Sequence, residues 1–328
     1  MQDRSSKDAP SIDRRHFLSA VGAVTAAGGL GLWPQVASAA TPKSSAEQAV
    51  KELHASLSDA QKKTLCLPFN HKLKSRINPN WHITEPTLGE KFYSEAQRDL
   101  TQRAIKSLCS EEGYERFVKQ MDDDSGGIGD YSMAFFGEPD SGNFQWEFTG
   151  RHLTLRADGD RNDRLAFGGP LVYGHGEEEK PEDNLFFYQT QQVNKVFAAL
   201  EGEQRTRVMM AKSPRETAVQ LQGQSGKFPG LSVRELSADQ KLLLADSLKV
   251  LLSPFRAEDI QEVMWILLEN GGLDSLNMAF SKQGDLKDDG TWDVWRIEGP
   301  TFVWHFRGAP HVHAFINIAH KKPMPRKQ

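Results

Sequence analysis

A pair of histidines near the C-terminal end of the chain has a spacing that suits metal binding. His311 and His313 are separated by one residue in a segment, 311–318, that alternates apolar and polar positions. Side chains two residues apart on a β-strand point to the same side of the sheet, so both imidazoles can reach one ion. Imidazole binds zinc, copper, iron and nickel. The pattern therefore predicts a site for one divalent transition metal without naming the metal.

A third histidine lies close to a carboxylate on a predicted β-hairpin within 144–155. We predict that this hairpin turns at 149–150, which places Glu147 directly opposite His152. A carboxylate in contact with an imidazole can orient the ring or accept a proton. We therefore predict that His152 joins the two C-terminal histidines as a metal ligand, with Glu147 as the catalytic group. Three protein ligands would leave a fourth position for water or substrate, as in a metal-dependent hydrolase or oxidoreductase.

A second interpretation makes the same region the site of a non-catalytic ligand-binding protein for a small molecule. Trp146 and Trp304 have aromatic faces that can stack on a ligand, and Arg151 and Arg307 can bind its polar groups. His175 lies in a glycine-flanked loop from which a side chain can reach a ligand, although a solvated histidine fits the loop equally well. Packing of the tryptophans in the core is a further alternative, because most of them occupy alternating strand positions.

Amphipathic helices and alternating strands must position these side chains. Apolar residues recur at three- and four-residue spacing in six segments: 45–63, 94–108, 112–122, 185–200, 237–252 and 257–270. Alternation with aromatic and β-branched residues predicts strands at 131–137, 143–157, 275–282, 291–307 and 311–318. In each part of the chain the helices come first and the strands follow. This order predicts an α+β fold with antiparallel sheets.

The sequence also repeats itself at an offset of 143 residues. Residues 57–62 align with 200–205, and residues 94–98 align with 237–241. Further along the chain the offset drifts to 149, as small insertions between strands would cause. We predict that the domain consists of two similar halves, about 45–167 and 185–320, each with amphipathic helices followed by an antiparallel β-meander.

The repeat separates what both halves share from what only one half has. Aromatic and apolar strand positions are kept in the second half, whereas Glu147 aligns with Arg296 and His152 aligns with Thr301. Histidines that occur in only one half are not required by a shared scaffold. Their restriction to one half favours a functional role over a packing role.

The first 39 residues have the order of an export signal. Arg14 and Arg15 precede a glycine-containing apolar run at 21–33, and a small-residue site ends at Ala39. This order predicts a twin-arginine signal peptide, cleavage after Ala39 and a mature chain of 40–328. The apolar run is too short for stable membrane insertion. We therefore expect the twin-arginine export machinery as a partner and a periplasmic or secreted location, a route often used by proteins that fold around a cofactor.

Composition and missing motifs exclude several classes of function. The 328 residues include 40 Lys and Arg against 44 Asp and Glu, a net charge of -4, which gives the chain no electrostatic reason to bind nucleic acid. Nucleotide-binding loops, nucleophile elbows and helical zinc-protease motifs are absent. The run Asp122-Asp123-Asp124 is interpreted as an acidic helix end rather than a calcium loop. Cys66 and Cys109 could form one disulfide or remain buried thiols.

Several short motifs spread over the chain occur together in one bacterial family. They are Phe69-Asn70, Trp81, Phe136-Gly137-Glu138-Pro139, Gly150-Arg151-His152-Leu153, Glu298-Gly299-Pro300 and His311-Val312-His313. On these residues the chain resembles the DUF3500 family, which implies a secreted bacterial protein without an assigned activity. Many members have His-His where this chain has Arg151-His152, and Trp-Arg-Asp-Pro where it has Ala314-Phe315-Ile316-Asn317. The resemblance therefore carries over no catalytic residue.

Overall fold

The computed structural model describes residues 45–158, 169–177, 180–286 and 289–319. In these ranges eight α-helices combine with one eleven-stranded sheet, which confirms a mixed helix and sheet fold. The predicted signal peptide, 1–39, lies outside the described residues. Among the described helices, none is both long enough and apolar enough to cross a membrane. Cys66 and Cys109 are both free, so the disulfide alternative is not adopted.

Four of the eight described helices begin at a serine whose side chain caps the first turn. The eight helices are α1 (Ser45–Ala55), α2 (Asp59–Leu65), α3 (Glu95–Leu108), α4 (Glu111–Ser125), α5 (Phe187–Ala198), α6 (Glu203–Val208), α7 (Ala238–Leu252) and α8 (Ala257–Glu269). Helices α2, α3 and α7 each start with a capping box, in which a serine and a glutamine three residues later satisfy each other's backbone N–H groups. Gly126 ends α4 with a φ of 84°, the left-handed conformation that favours glycine.

The strands form one continuous sheet. They are β1 (Cys66–Leu67), β2 (Ser132–Glu138), β3 (Asn143–Gly150), β4 (Leu153–Asp158), β5 (Leu171–His175), β6 (Met209–Met210), β7 (Leu231–Ser232), β8 (Asn277–Ser281), β9 (Val294–Gly299), β10 (Phe302–Arg307) and β11 (Val312–Ile318). Their order is β1-β2-β3-β4-β5-β11-β10-β9-β8-β6, with β7 paired to β8. Strands from the early and late parts of the chain meet edge to edge at the antiparallel β5–β11 pair. This junction brings the start of β11 close to the β3–β4 hairpin.

Alternate side chains of the sheet enter two different sets of contacts. Trp146, Tyr173 and Trp304 pack into the main core, together with apolar residues of the helices. Phe136 belongs to a smaller cluster on the other side of the sheet, and Phe315 to another. This division follows from the two-residue period of a strand. Extended segments at 67–83 and 219–221 cover the side of the sheet opposite the helices.

The β3–β4 hairpin turns two residues later than the sequence analysis predicts. The strands pair Glu147 with Arg156 and Gly150 with Leu153, so the prediction that Glu147 lies opposite His152 is wrong. Gly150 is a strand residue and not a turn residue. A Cβ at this position would lie 2.2 Å from the ring of Tyr131, so glycine is needed for close packing rather than for the turn.

Candidate metal centre

Three imidazole rings converge beside the β5–β11 junction. The ring centroid of His152 lies 5.0 Å from that of His311 and 4.9 Å from that of His313, and the last two are 4.7 Å apart. Each ring offers one nitrogen that lies within 4.8 Å of the other two. The predicted convergence of the three histidines is therefore confirmed. His152 and His313 are buried and His311 is half-buried, so solvent can reach the cluster on the His311 side.

His152 is held at the turn of the β3–β4 hairpin. Its φ of 54° is in the left-handed region, where histidine is found more often than most residues other than glycine. Its backbone N–H donates a 2.6 Å hydrogen bond to the carbonyl oxygen of Pro79. The segment that covers the sheet therefore fixes the turn from which this imidazole projects.

His313 is held inside the sheet, on β11. Its neighbours across the two ladders are Gly174 of β5 and Arg307 of β10. A Cβ on Gly174 would lie 3.4 Å from the His313 ring and 2.1 Å from the carbonyl oxygen of Val312. Glycine at this position is therefore required for the close approach of β5 to β11.

Asp124, at the end of α4, fixes the orientation of the His152 ring. Its Oδ2 lies 2.7 Å from Nδ1 of His152, and its Oδ1 accepts a hydrogen bond from the N–H of Gly176 at 2.8 Å. Burial alone would raise the pKa of Asp124. Hydrogen bonds from His152, Gln120 and the Gly176 N–H outweigh burial and lower this pKa below its usual value. Asp124 is therefore an ionised acceptor at neutral pH.

Glu216 has the same relationship to His313. Its Oε2 lies 2.9 Å from Nδ1 of His313, and its Oε1 lies 2.8 Å from Nη1 of Arg307. Burial would raise the pKa of Glu216, but the His313 hydrogen bond and the charges of His313 and Arg307 lower it. Burial is also the main reason that the pKa of His313 lies at about 4, with Glu216 opposing this shift and Arg307 adding to it. His313 is therefore neutral at pH 7, the form that binds metal.

These carboxylates assign the tautomers of two imidazoles. A carboxylate can only accept, so Nδ1 of His152 and Nδ1 of His313 must carry the protons that face Asp124 and Glu216. The Nε2 atoms of both rings then keep their lone pairs. Nε2 of His313 faces Nε2 of His311 at 3.0 Å. The cluster thus has the arrangement of a metal site in which carboxylates orient the ligating histidines.

Arg307 brings a cation to the rim of the cluster. Its Nη2 lies 3.3 Å from Nε2 of His311 and 2.9 Å from Nδ1 of His313. Because Nδ1 of His313 donates to Glu216, the contact from Arg307 to that nitrogen is not a hydrogen bond. Arg307 is instead held by its ion pair with Glu216 and is partly exposed. It is the nearest described cation to the three rings that can also reach solvent.

His175 is next to this centre but not part of it. Its Nε2 lies 3.0 Å from Oδ2 of Asp123, and its Nδ1 accepts a hydrogen bond from the N–H of Leu185. The ring is buried at the end of β5. His175 therefore lies neither in an open loop nor in solvent. Arg151 is exposed at the hairpin turn, and its role as a ligand-binding residue stays a prediction.

Glu147 is a structural residue in this fold. Its side chain is fully buried and forms an ion pair with Arg156, which also donates to the carbonyl oxygens of Lys74 and Pro170. Gln145 also donates a hydrogen bond to Glu147. None of these contacts reaches the histidines, so the structure does not support the catalytic role predicted for Glu147.

Trp146 and Trp304 belong to the main core. Both side chains are fully buried among apolar residues of the sheet and helices. No ring face is left for stacking on a ligand from solvent. The packing alternative is thus the one observed, and it gives no support to the ligand-binding role, which stays a prediction.

Sequence analysis missed the two carboxylates that orient the site. Asp124 lies in the acidic run that we interpreted as a helix end, and that position on α4 is the reason it reaches His152. Its signal was an acidic residue near a helix C-terminus, where the helix dipole disfavours negative charge. Glu216 lies in an irregular segment with no periodicity, and no local signal identified it.

Comparisons with known proteins identify the family of the chain but no activity. A family model described as a protein of unknown function, DUF3500, matches residues 39–322. No curated protein and no solved structure matches the chain significantly. The matched range contains all three histidines and both orienting carboxylates.

Proposed function

Since this chain belongs to the DUF3500 family, whose description states no activity, we propose its function from the site alone: it binds one divalent transition metal at His152, His311 and His313. One observation carries this proposal. Three ring nitrogens lie within 4.8 Å of one another, and two of the rings are oriented by ionised carboxylates. A metal ion bound there would use the Nε2 lone pairs of His152 and His313, which the carboxylate contacts leave available, together with a ring nitrogen of His311.

The charges around the cluster fit a divalent cation. Asp124 and Glu216 contribute two negative charges, and Arg307 contributes one positive charge. The carboxylates contact the far nitrogens of the rings, so they would balance the ion without occupying its coordination sphere. Three nitrogen ligands with access to solvent are typical of catalytic rather than structural zinc sites, and the same ligands suit copper, iron and nickel.

A metal in this position supports a hydrolase or an oxidoreductase. The ion would supply Lewis acidity, or redox chemistry if it were copper or iron. Arg307, at the solvent-accessible rim, would bind a negatively charged oxygen of the substrate. The non-catalytic ligand-binding alternative is less well supported, because Trp146 and Trp304 have no exposed face.

Metal analysis of untagged protein is the decisive experiment for this proposal. We expect about one equivalent of a transition metal per chain after purification without a polyhistidine tag. The variant His311→Ala should lose the metal, whereas His82→Ala, at an exposed histidine outside the cluster, should retain it. Equal metal content in both variants, or no binding of added zinc, copper, iron or nickel by the wild-type protein, would refute the site.

Export through the twin-arginine pathway is a second part of the proposal. It is supported by the order of Arg14 and Arg15, an apolar run and Ala39 within the first 39 residues. A periplasmic or secreted protein that arrives folded could acquire its metal before export. Replacement of both arginines by lysine should keep the precursor in the cytoplasm, and unchanged export would exclude this pathway.

The relationship between the two halves completes the proposal. We infer that 45–167 and 185–320 descend from one duplicated unit of helices and an antiparallel meander. The three histidines would then have arisen by substitution after the duplication. The duplication is supported by the matching sequence segments and by the parallel pairs β1–β2 and β6–β8, which occupy corresponding edges of the sheet. An experimental structure in which helices and strands of the two halves do not superpose would refute the duplication.

A further inference from the structure

A cavity at the far edge of the sheet lies apart from the histidine cluster. It has a volume of about 100 Å³ and opens beside β6, β8 and β9. Met210, Pro214 and Val294 supply apolar walls, and Lys212 and Arg296 supply the only charged groups among its lining residues. At roughly 10 to 15 Å³ for each water-sized group, the cavity can hold a small organic molecule.

Arg296, one of the residues that line this cavity, has a buried hydrogen-bond donor that is not satisfied by the described residues. Its Nε donates to Glu298 and its Nη2 donates to the carbonyl oxygen of Ala218. Its Nη1 is buried and has no partner among the described residues. An unpaired buried donor is costly, and more so on a charged group, so an acceptor from outside the protein would relieve this cost.

The corresponding place in the first part of the chain is filled. Leu67 pairs with Phe136 at one edge of the sheet, as Met210 pairs with Ser281 at the other. Phe136 packs there in a cluster that includes Phe69. The cavity therefore exists because a serine replaces a phenylalanine at this sheet position.

The substitution of a second aromatic residue adds charge. At the sequence offset of 143, Lys212 corresponds to Phe69, and both follow the edge strand by two residues. Arg296 and Lys212 carry two positive charges, and the Glu298 paired with Arg296 carries one negative charge. The net charge of this group is +1, which complements a ligand with a single negative charge.

We propose that this cavity binds a small monocarboxylate with a short apolar tail. The carboxylate would accept from Nη1 of Arg296 and be attracted by Lys212, and the tail would contact Val294 and Met210. A hydrogen bond from a guanidinium N–H to a carboxylate oxygen is assisted by both charges and is stronger than one between neutral groups. The proposal does not involve the three histidines, so it can fail or succeed independently of the metal centre.

Butyrate and its neutral counterpart butyramide are suitable probes. Titration of the full chain, followed by ligand-observed NMR and by tryptophan fluorescence, should show saturable butyrate binding and at least about tenfold weaker binding of butyramide. Ser281→Phe, which restores the aromatic residue of the first half, should weaken butyrate binding at least about tenfold. Lys212→Met, at an exposed position where folding is not at risk, should weaken butyrate and leave butyramide unchanged.

Lys195→Met on α5 is the matched control, since it removes an exposed lysine on the helical side of the sheet. It should bind butyrate as the wild type does. The proposal is overturned if wild-type protein shows no saturable binding, if butyramide binds as tightly as butyrate, or if Lys212→Met leaves butyrate affinity unchanged. Unchanged affinity in a folded Ser281→Phe protein would overturn it too, because the ligand would then occupy another place.

Discussion

The β3–β4 and β9–β10 hairpins have the same backbone plan and different tips. Each is closed by a two-residue connection that follows a glycine, Gly150 in the first hairpin and Gly299 in the second. The first tip carries His152 and the second carries Thr301, and both side chains are buried. A threonine is sufficient to complete such a hairpin. The fold of the hairpin therefore does not require a histidine at position 152. The contacts of His152 with the other two histidines are a better reason for its presence.

The helices behind these hairpins differ in the same way. The last turn of helix α4 carries Asp124, which orients His152. At the sequence offset of 143, the corresponding residue of α8 is Leu267, a buried residue of the main core. The first half thus has an imidazole and its carboxylate partner where the second half has neither. Paired gain or loss of this kind is expected of residues that act together.

Buried ion pairs show the opposite behaviour, because both halves contain one. Glu147 pairs with Arg156 in the first half, and Arg296 pairs with Glu298 in the second. In both halves the arginine also donates to a backbone carbonyl of the segment that crosses the sheet. The two ion pairs occupy different positions on the strands, but each arginine attaches a covering segment to the sheet. This comparison identifies the first pair as part of the scaffold.

The largest effect should come from breaking the buried pair of the first half. Arg156→Met leaves Glu147 buried without its counter-charge and removes two hydrogen bonds to backbone carbonyls, so we expect a loss of about 3–5 kcal/mol in unfolding free energy. Urea unfolding followed by circular dichroism measures this loss. Arg103→Met, which removes an exposed ion pair with Glu52, should cost less than about 1 kcal/mol. Equal costs for the two variants would contradict a structural role for the buried pair.

The metal centre should respond to different residues. Asp124→Asn and Glu216→Gln remove charges that orient the imidazoles, and each should weaken metal affinity by about 10- to 100-fold. Glu147→Gln should leave metal affinity unchanged, because Glu147 makes no contact with the histidines. Competition with a chromophoric chelator gives all three affinities. A loss of affinity in the Glu147 variant comparable to that of Asp124→Asn would mean that scaffold and site are not separable.

A pH effect should distinguish α8 from α4. Burial raises the pKa of Asp259, on α8, to about 7 despite its ion pair with Arg256. The folded state therefore holds a proton that the unfolded chain releases above about pH 4, and unfolding free energy should fall as pH rises from about 4 to about 7. Asp259→Asn should remove this part of the slope, as measured by urea unfolding at several pH values.

The control for this pH effect is Glu112→Gln on α4. Glu112 forms an exposed ion pair with Arg116, so its charge is well solvated. Its substitution shows how the loss of a solvent-exposed carboxylate affects the measured unfolding free energy. If Asp259→Asn leaves the pH dependence of unfolding unchanged, then Asp259 is ionised in the folded protein at neutral pH and Arg256 overcomes the effect of burial.

Local patterns predicted most of the longer helices and strands and part of the site, because those depend on neighbours in sequence, but they missed β5. The spacing of His311 and His313 was sufficient to predict that their imidazoles lie together, although His311 lies one residue before β11 and only His313 is a strand residue. The contrast between His152 and Thr301 in the aligned halves was sufficient to suggest a functional role. Both inferences needed only strand geometry and an internal comparison.

Other features depend on contacts distant in sequence and were missed for that reason. The hairpin register was wrong because Gly150 resembled a turn residue, whereas it makes room for the ring of Tyr131. Glu216 was missed because its segment is irregular and is brought to His313 by hydrogen bonds such as that from Arg296 to Ala218. A single sequence contains no local record of such packing.

The smallest expected effect tests whether the two halves use equivalent helix starts. Ser94 and Ser237 cap α3 and α7 with the same capping box. In each box the glutamine also donates to a carbonyl at the end of a preceding helical segment, from Gln97 to Ser56 and from Gln240 to Ala199.

Because these contacts match, Ser94→Ala and Ser237→Ala should each cost about 1 kcal/mol in unfolding free energy, within the range of roughly 0.5–2 kcal/mol for a lost N-cap. Their costs should add in the double variant, since the two caps share no partner. Urea unfolding of the three variants at one pH measures this. A much larger cost at one cap would show that the two helix starts are not equivalent, and strong non-additivity would show that the halves do not respond independently at these positions.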